Sequence, residues 1–217
     1  MDDVVKTVAE EQPKLFDVGE TKPIPPPPPP PPEPPKIELP DPTMPMPFEK
    51  LTGAAFDEKR IYRYMLWRRI LEKGNTITWI GLNPSTADEE VDDPTVKRVV
   101  SFSKAWGYAK VYMVNLFAFR ATNPKDMKKA ADPGGPENLG WIVKLCNQSQ
   151  MCLAAWGNNG SFGGSGKNLL KQLDYLGIGP IHCLGVTKKG HPKHPLYLSR
   201  NTKPQILMYK QFPEEKI

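Results

Sequence analysis

From residue 76 onward the chain alternates between short apolar runs and stretches with helical spacing. The runs are Thr76 to Leu82, Lys110 to Phe119, Met151 to Trp156 and Ile181 to Val186, each followed by a turn rich in Gly, Pro or Asn. Short continuous apolar runs bounded by turns are expected of strands buried on both faces. Between them, Thr95 to Trp106 reads as a helix that ends at Gly107. Pro136 to Cys146 reads as a second, with Pro136 suited to the first helical position, and Lys167 to Leu176 as a third. Ahead of the first strand, Tyr62, Leu66 and Ile70 recur every four residues. With Gly74 placed where a C′ residue belongs, this spacing predicts a helix over Arg60 to Lys73.

Four strands separated by helical crossovers require parallel pairing with both faces covered. The predicted fold is therefore α/β, three-layer α/β/α, with a four-stranded mostly parallel sheet. Such sheets bind ligands beyond the carboxyl ends of their strands, so the loops after each strand are where function is sought.

Composition separates the first 50 residues from the rest. They hold 16 of the 26 prolines, including the unbroken run Pro25 to Pro32, and almost no aromatic residues from which to build a core. The expected organisation is a disordered acidic proline-rich tail over 1–54, one folded domain over 55–210 and a short C-terminal tail over 211–217. Eight consecutive prolines dictate a polyproline II rod, a stiff spacer or, less favoured, a ligand for proline-reading domains.

Charge divides along the same line. Residues 1–50 carry 5 Lys and Arg against 10 Asp and Glu, while residues 51–217 carry 24 against 14, a net of +10. A basic domain behind an acidic tail points to a polyanionic partner, since neutralising phosphates releases condensed counterions; a merely soluble basic protein is the plainer alternative. Cys146, Cys152 and Cys183 form no CxxC pair and are odd in number, which fits reduced thiols better than a disulfide or zinc framework. No long apolar run and no basic leader are present, so the expected location is cytoplasmic, with no membrane partner.

The candidate chemistry lies at the strand ends. After the first strand comes Gly81-Leu82-Asn83-Pro84-Ser85, after the second Val114-Asn115-Leu116, and after the fourth His191-Pro192-Lys193-His194-Pro195-Leu196-Tyr197. Singly, an Asn-Pro turn, a buried Asn and a surface His are ordinary structure. Other signals carry less. Gly160 to Lys167 has the glycines of a phosphate loop but not its spacing, and reads better as a flexible loop at a helix start. The acidic group Asp88, Glu89, Glu90, Asp92 and Asp93 suits the dipole of the helix behind it better than a Mg²⁺ site. Trp67, Trp106, Trp141 and Trp156 read as core. Arg63, Arg68 and Arg98 are candidates to face the site, with no sequence signal that orients them.

In order, the three loop motifs resemble those of the uracil-DNA glycosylase superfamily, in particular its Gly-x-Asn-Pro branches, over about residues 76–200. The chain is also similar to an uncharacterised bacterial and phage domain family marked by Tyr-Arg-Tyr-x-Leu-Trp-Arg (Tyr62 to Arg68), Asn-Pro-Ser-Thr-Ala-Asp (Asn83 to Asp88) and His-Pro-Leu-Tyr (His194 to Tyr197). The first resemblance implies a DNA base N-glycosidase acting on uracil or a modified pyrimidine without metal or organic cofactor, and the second a bacterial or phage origin. By that resemblance Asn83 and His194 are the catalytic pair. Asn83 would place a water below the sugar, and His194 would donate to the base oxygen as charge develops there. Asn115 would read the edge of a base flipped from the stack. Pro84, Ser85 and Tyr197 would complete the pocket, and Lys188, Lys189, Lys193 and Arg200 would hold the backbone phosphates.

Two positions depart from the superfamily pattern. Its most active members keep Asp where this chain has Asn83, and its second motif continues Ser-Pro where this chain has Leu196-Tyr197. A register with His191-Pro192 as the functional pair stays open. So does a non-catalytic reading, a binder of uracil-containing, abasic or single-stranded nucleic acid or of a partner repair enzyme, as does a nuclease acting at such sites. In the strictly uracil-specific branch a tyrosine follows the motif's proline. The small Ser85 in its place implies a pocket open at the pyrimidine 5-position.

Overall fold

The structure is a computed structural model and describes residues 51–208. The proline-rich tail expected over 1–54 lies outside the described residues up to residue 50, as does the C-terminal end from residue 209. The first strand, β1 (Thr52–Phe56), begins ahead of the boundary expected at residue 55.

The molecule is mixed α/β, built on one sheet of seven strands. After β1 come β2 (Arg63–Arg69), β3 (Thr76–Gly81), β4 (Lys110–Asn115), β5 (Met151–Ala154), β6 (Ile181–Cys183) and β7 (Gln205–Ile206). The helices are α1 (Pro94–Ala105), α2 (Pro124–Lys129), α3 (Asn138–Asn147) and α4 (Ser165–Tyr175). The strand order is β1-β2-β4-β3-β5-β6-β7. The four strands expected from the sequence form its parallel centre, β4-β3-β5-β6. Antiparallel strands flank them on both sides, so the sheet is wider than the four strands expected and mixed in sense.

The helix expected over Arg60–Lys73 is strand β2. A four-residue repeat is also an even one, and in a strand residues two and four apart share a face. What decides between the two is burial. Tyr64, Met65, Leu66 and Trp67 are all buried, which a helix with one solvent face does not allow but a strand between β1 and β4 does. Gly74, read as a helix C′ residue, instead turns the chain into β3 at φ 136°. The short helix α2 lies in a stretch expected to be loop, and is capped by the Asn123 side chain on Lys125 N.

Alternation along the strands splits the interior into two cores. Ile77 and Trp79 of β3, with Val111 and Met113 of β4, pack with Val96, Val99 and Phe102 of α1. Ile80, Tyr112 and Val114 pack with Trp141, Ile142 and Leu145 of α3 and with Leu169, Leu170 and Leu173 of α4. On the α1 side the indoles of Trp79 and Trp106 stack at 5.7 Å, tilted by 7°, a contact worth about 1 kcal/mol beyond its area. Trp79 Nε1 donates to Ser103 Oγ at 3.0 Å, so this buried donor is satisfied. Trp67, Trp141 and Trp156 are buried as expected, and all three cysteines are free and buried.

One irregularity in β2 matters for the site. Ala55 pairs with Met65 but Phe56 with Arg63, so Tyr64 is the extra residue of a β-bulge. Tyr64, Met65 and Trp67 join the α3 side, whereas Leu66 joins the α1 side. The bulge thereby returns Arg63 to the α1 face, together with Leu66.

Among the described residues no helix is long and apolar enough to cross a membrane.

Candidate functional site

A cavity of about 710 Å³ opens at the carboxyl end of the parallel strands, on the α1 face. Its floor is Trp79, Met113, Val99 and Ala155, and the loops after β3, β4, β5 and β6 form its walls. These are the loops that an open parallel sheet reserves for ligands.

Asn115 ends β4 on this face. It is 1% exposed and lines the cavity, yet neither its Oδ1 nor its Nδ2 finds a hydrogen-bond partner among the described residues. Leaving both ends of a buried amide unpaired costs a few kcal/mol, and such groups call for a partner from outside the chain. The residue is held in place from two directions. Asn138 Nδ2, at the start of α3, donates to the main-chain carbonyls of Asn115 at 3.0 Å and Leu116 at 3.1 Å and so fixes the backbone that carries the amide. Gly81, its register partner on β3, leaves the room it occupies. Sequence reasoning missed Asn138, because a polar residue at a helix start carries no signal of where its side chain points.

Asn83 also lines the cavity. Its Nδ2 donates to the carbonyls of Ala121 at 2.7 Å and Pro84 at 3.0 Å. Both amide hydrogens are thus spent on backbone, and Oδ1 remains as the acceptor. Pro84 itself is buried outside the lining and works through its carbonyl, while Ser85 lines the cavity.

The loop after β6 contributes His194 but not His191. His194 lines the cavity, whereas His191 is buried outside the lining, its backbone tied to Thr187. The His194 Nδ1 accepts from Leu196 N at 3.4 Å, capping the short 3₁₀ turn Pro195–Tyr197. Desolvation by burial lowers the His194 pKa from its ordinary 6.5, opposed by the charge of Asp93. The ring is therefore neutral at pH 7, and with Nδ1 accepting, its proton resides on Nε2, free to donate. Arg98 of α1 donates to the carbonyls of Leu198 and Pro195 and so ties the histidine turn to the helix. Tyr197 is 87% exposed at the rim, its ring 6.0 Å from that of His194.

Of the four basic residues expected to contact phosphates, Lys193 lines the cavity; Lys188, Lys189 and Arg200 are exposed beyond it. Phe117, just after β4, points away from the cavity and packs against Phe162 at 5.8 Å on the α3 side.

Four of the five side chains of the acidic cluster are spent on structure, and the fifth, Glu90, is exposed. Asp88 Oδ1 accepts from the backbone of Glu90 and Val91, Glu89 pairs with Arg60 at 2.8 Å, Asp92 pairs with Arg68 at 2.7 Å, and Asp93 caps α1 through Val96 N. Among the described residues no group of three or more His, Cys, Asp or Glu is placed to hold a metal ion. The glycine-rich stretch forms a 3₁₀ turn over Asn158–Gly164, and Gly160 lies so close to Trp156 that a Cβ there would fall 2.0 Å from the indole. The first unexplained cation is Arg63, buried yet facing the cavity.

An open sheet with a cleft at its parallel strand ends, apolar at the floor and lined above it by Asn83, Asn115 and His194, defines a mixed α/β protein. The chain belongs to the DUF1643 family, described as proteins of unknown function, whose model matches residues 63–196. That span runs from Arg63 past His194 and so includes both ends of the cleft. No curated protein matches the chain, and neither does any solved structure.

Proposed function

We propose that this protein is a DNA base N-glycosidase acting on uracil or a modified pyrimidine, with a three-layer fold of the uracil-DNA glycosylase kind. The observation that carries the reading is Asn115. An amide with donor and acceptor both unpaired in the lining of a cavity matches a ring edge that offers an N–H beside a carbonyl. Tyr197 at the rim supports it, because an exposed ring beside the opening offers a stacking surface to a neighbouring base. The two cores on opposite faces of the sheet support the layered fold.

In this reading the C1′–N1 bond breaks and its electron pair stays with the base. His194 Nε2–H donates to the base oxygen as that charge grows, and the neutral ring is the form whose unprotonated Nδ1 keeps its bond from Leu196 N and so holds the donor in place. Asn83 Oδ1 accepts from a water whose oxygen bonds to C1′, and the water's spare proton goes to solvent. Lys193 at the rim contributes to holding the phosphates.

One observation favours a second reading, a binder of the same nucleic acid that leaves the bond intact. Asn83 stands where a carboxylate would act as base, and an amide takes no proton. Incubating the protein with labelled oligonucleotides bearing a panel of modified bases decides between the two. Release of free base is the expected result; binding without release would leave the second reading.

A further inference from the structure

We propose that Arg63 makes the cavity a receptor for an anionic ring, a pyrimidine that carries a negative charge or acquires one when its glycosidic bond breaks. The identity of the ring rests on the glycosidase reading; the need for negative charge does not.

Arg63 is 1% exposed and lines the cavity. Its Nη1 donates to the Ala87 carbonyl at 2.8 Å, while its Nε has no partner. Its neighbours differ in this respect: Arg60 and Arg68 each have a carboxylate within 4.0 Å, but Arg63 has none among the described residues. The acid whose field reaches it most is Asp93, whose carboxylate is engaged on Val96 N. Burial lowers the guanidinium pKa to about 10, opposed by Asp93, so it stays charged at neutral pH.

A buried cation with no carboxylate in contact costs several kcal/mol, only partly offset by the more distant charge of Asp93, and the rest is offset when an anion arrives. Neutral carbonyls satisfy its hydrogens but not its charge. Asn115 favours a ring over a phosphate: its unpaired Oδ1 and Nδ2 ask for a donor and an acceptor side by side in one plane, which is the N–H-beside-carbonyl edge of a pyrimidine. The bulge at Tyr64 is what brings the two together, since it puts Arg63 on the same face as Asn115, beside the carboxyl end of β4.

The test is calorimetric binding of uracil, 5-nitrouracil and inorganic phosphate to the full chain, at a pH where 5-nitrouracil is ionised and uracil neutral. The expected result is affinity for 5-nitrouracil at least about tenfold above that for uracil, the scale of a charge-assisted hydrogen bond. That preference should vanish in R63Q and survive in part in R63K. Because Arg63 also holds the Ala87 carbonyl, R63Q is read once its circular dichroism matches the unmutated chain; the ratio in the unmutated chain stands without it. Equal affinities for the two rings, or a preference kept in folded R63Q, would overturn the proposal. Arg63-dependent binding of phosphate with neither ring bound would uphold the anion site and sink the pyrimidine reading.

Discussion

A Cβ on Gly81 would fall 2.7 Å from Oδ1 of Asn115, its partner across the β3–β4 pair. The glycine is there for space: it keeps a side chain out of the volume that the amide fills. Gly81→Ala should therefore leave the sheet intact and push Asn115 aside. Displacing a positioned group by an ångström costs on the order of a hundredfold in rate. Base release should fall by about that factor while the thermal midpoint moves little. An unchanged rate would show that Asn115 does not read the ligand.

His194→Ala and Asn115→Ala should each lower base release by about a hundredfold with the fold retained, the scale of a lost preorganised donor. His191→Ala should lower stability instead, since His191 is buried away from the cavity. Single-turnover rates beside melting curves separate the two effects. A rate loss confined to His191 would assign the second motif to His191-Pro192.

The pH profile follows from His194. Its folded pKa lies below 6.5 because burial disfavours the charged form. The neutral ring therefore persists above 6.5, and both activity and the histidine's share of stability are lost as pH falls through the lowered value. Base release should be level from pH 7 to 8 and decline on the acid side. In His194→Gln that acid limb should disappear; a limb that persists belongs to another group.

Ser85 lines the cavity with a small side chain. The pocket should accept 5-hydroxymethyluracil and thymine beside uracil, and Ser85→Tyr should narrow it. One methyl is worth about 1 to 3 kcal/mol in discrimination, so relative rates should shift rather than switch. Strict uracil preference in the unmutated chain would mean that another side chain, Tyr197 foremost, fills the space.

DNA affinity should fall steeply with salt, because residues 51–217 carry a net charge of +10. Removing residues 1–50, with a net of −5, should raise affinity slightly. A flat salt dependence in both forms would remove nucleic acid as the partner.

The sequence by itself determined the parallel centre of this protein. Runs such as Val111 to Val114 are apolar on both sides, and a strand covered on two faces uses such a run. It also determined where to look, since Asn83, Asn115 and His194 stand at strand ends that the topology must bring together. Tertiary structure decided the rest. A spacing of four residues is shared by helix and strand, so β2 was settled only by burial between two neighbours. His194 and His191 are equal in sequence, and only the Nδ1 cap on Leu196, held beside α1 by Arg98, puts one ring in the cavity. Arg63 depends on a single extra residue at Tyr64, which shifts the side to which every preceding side chain points. No periodicity records such a shift, because it comes from how two strands pair and not from either strand alone.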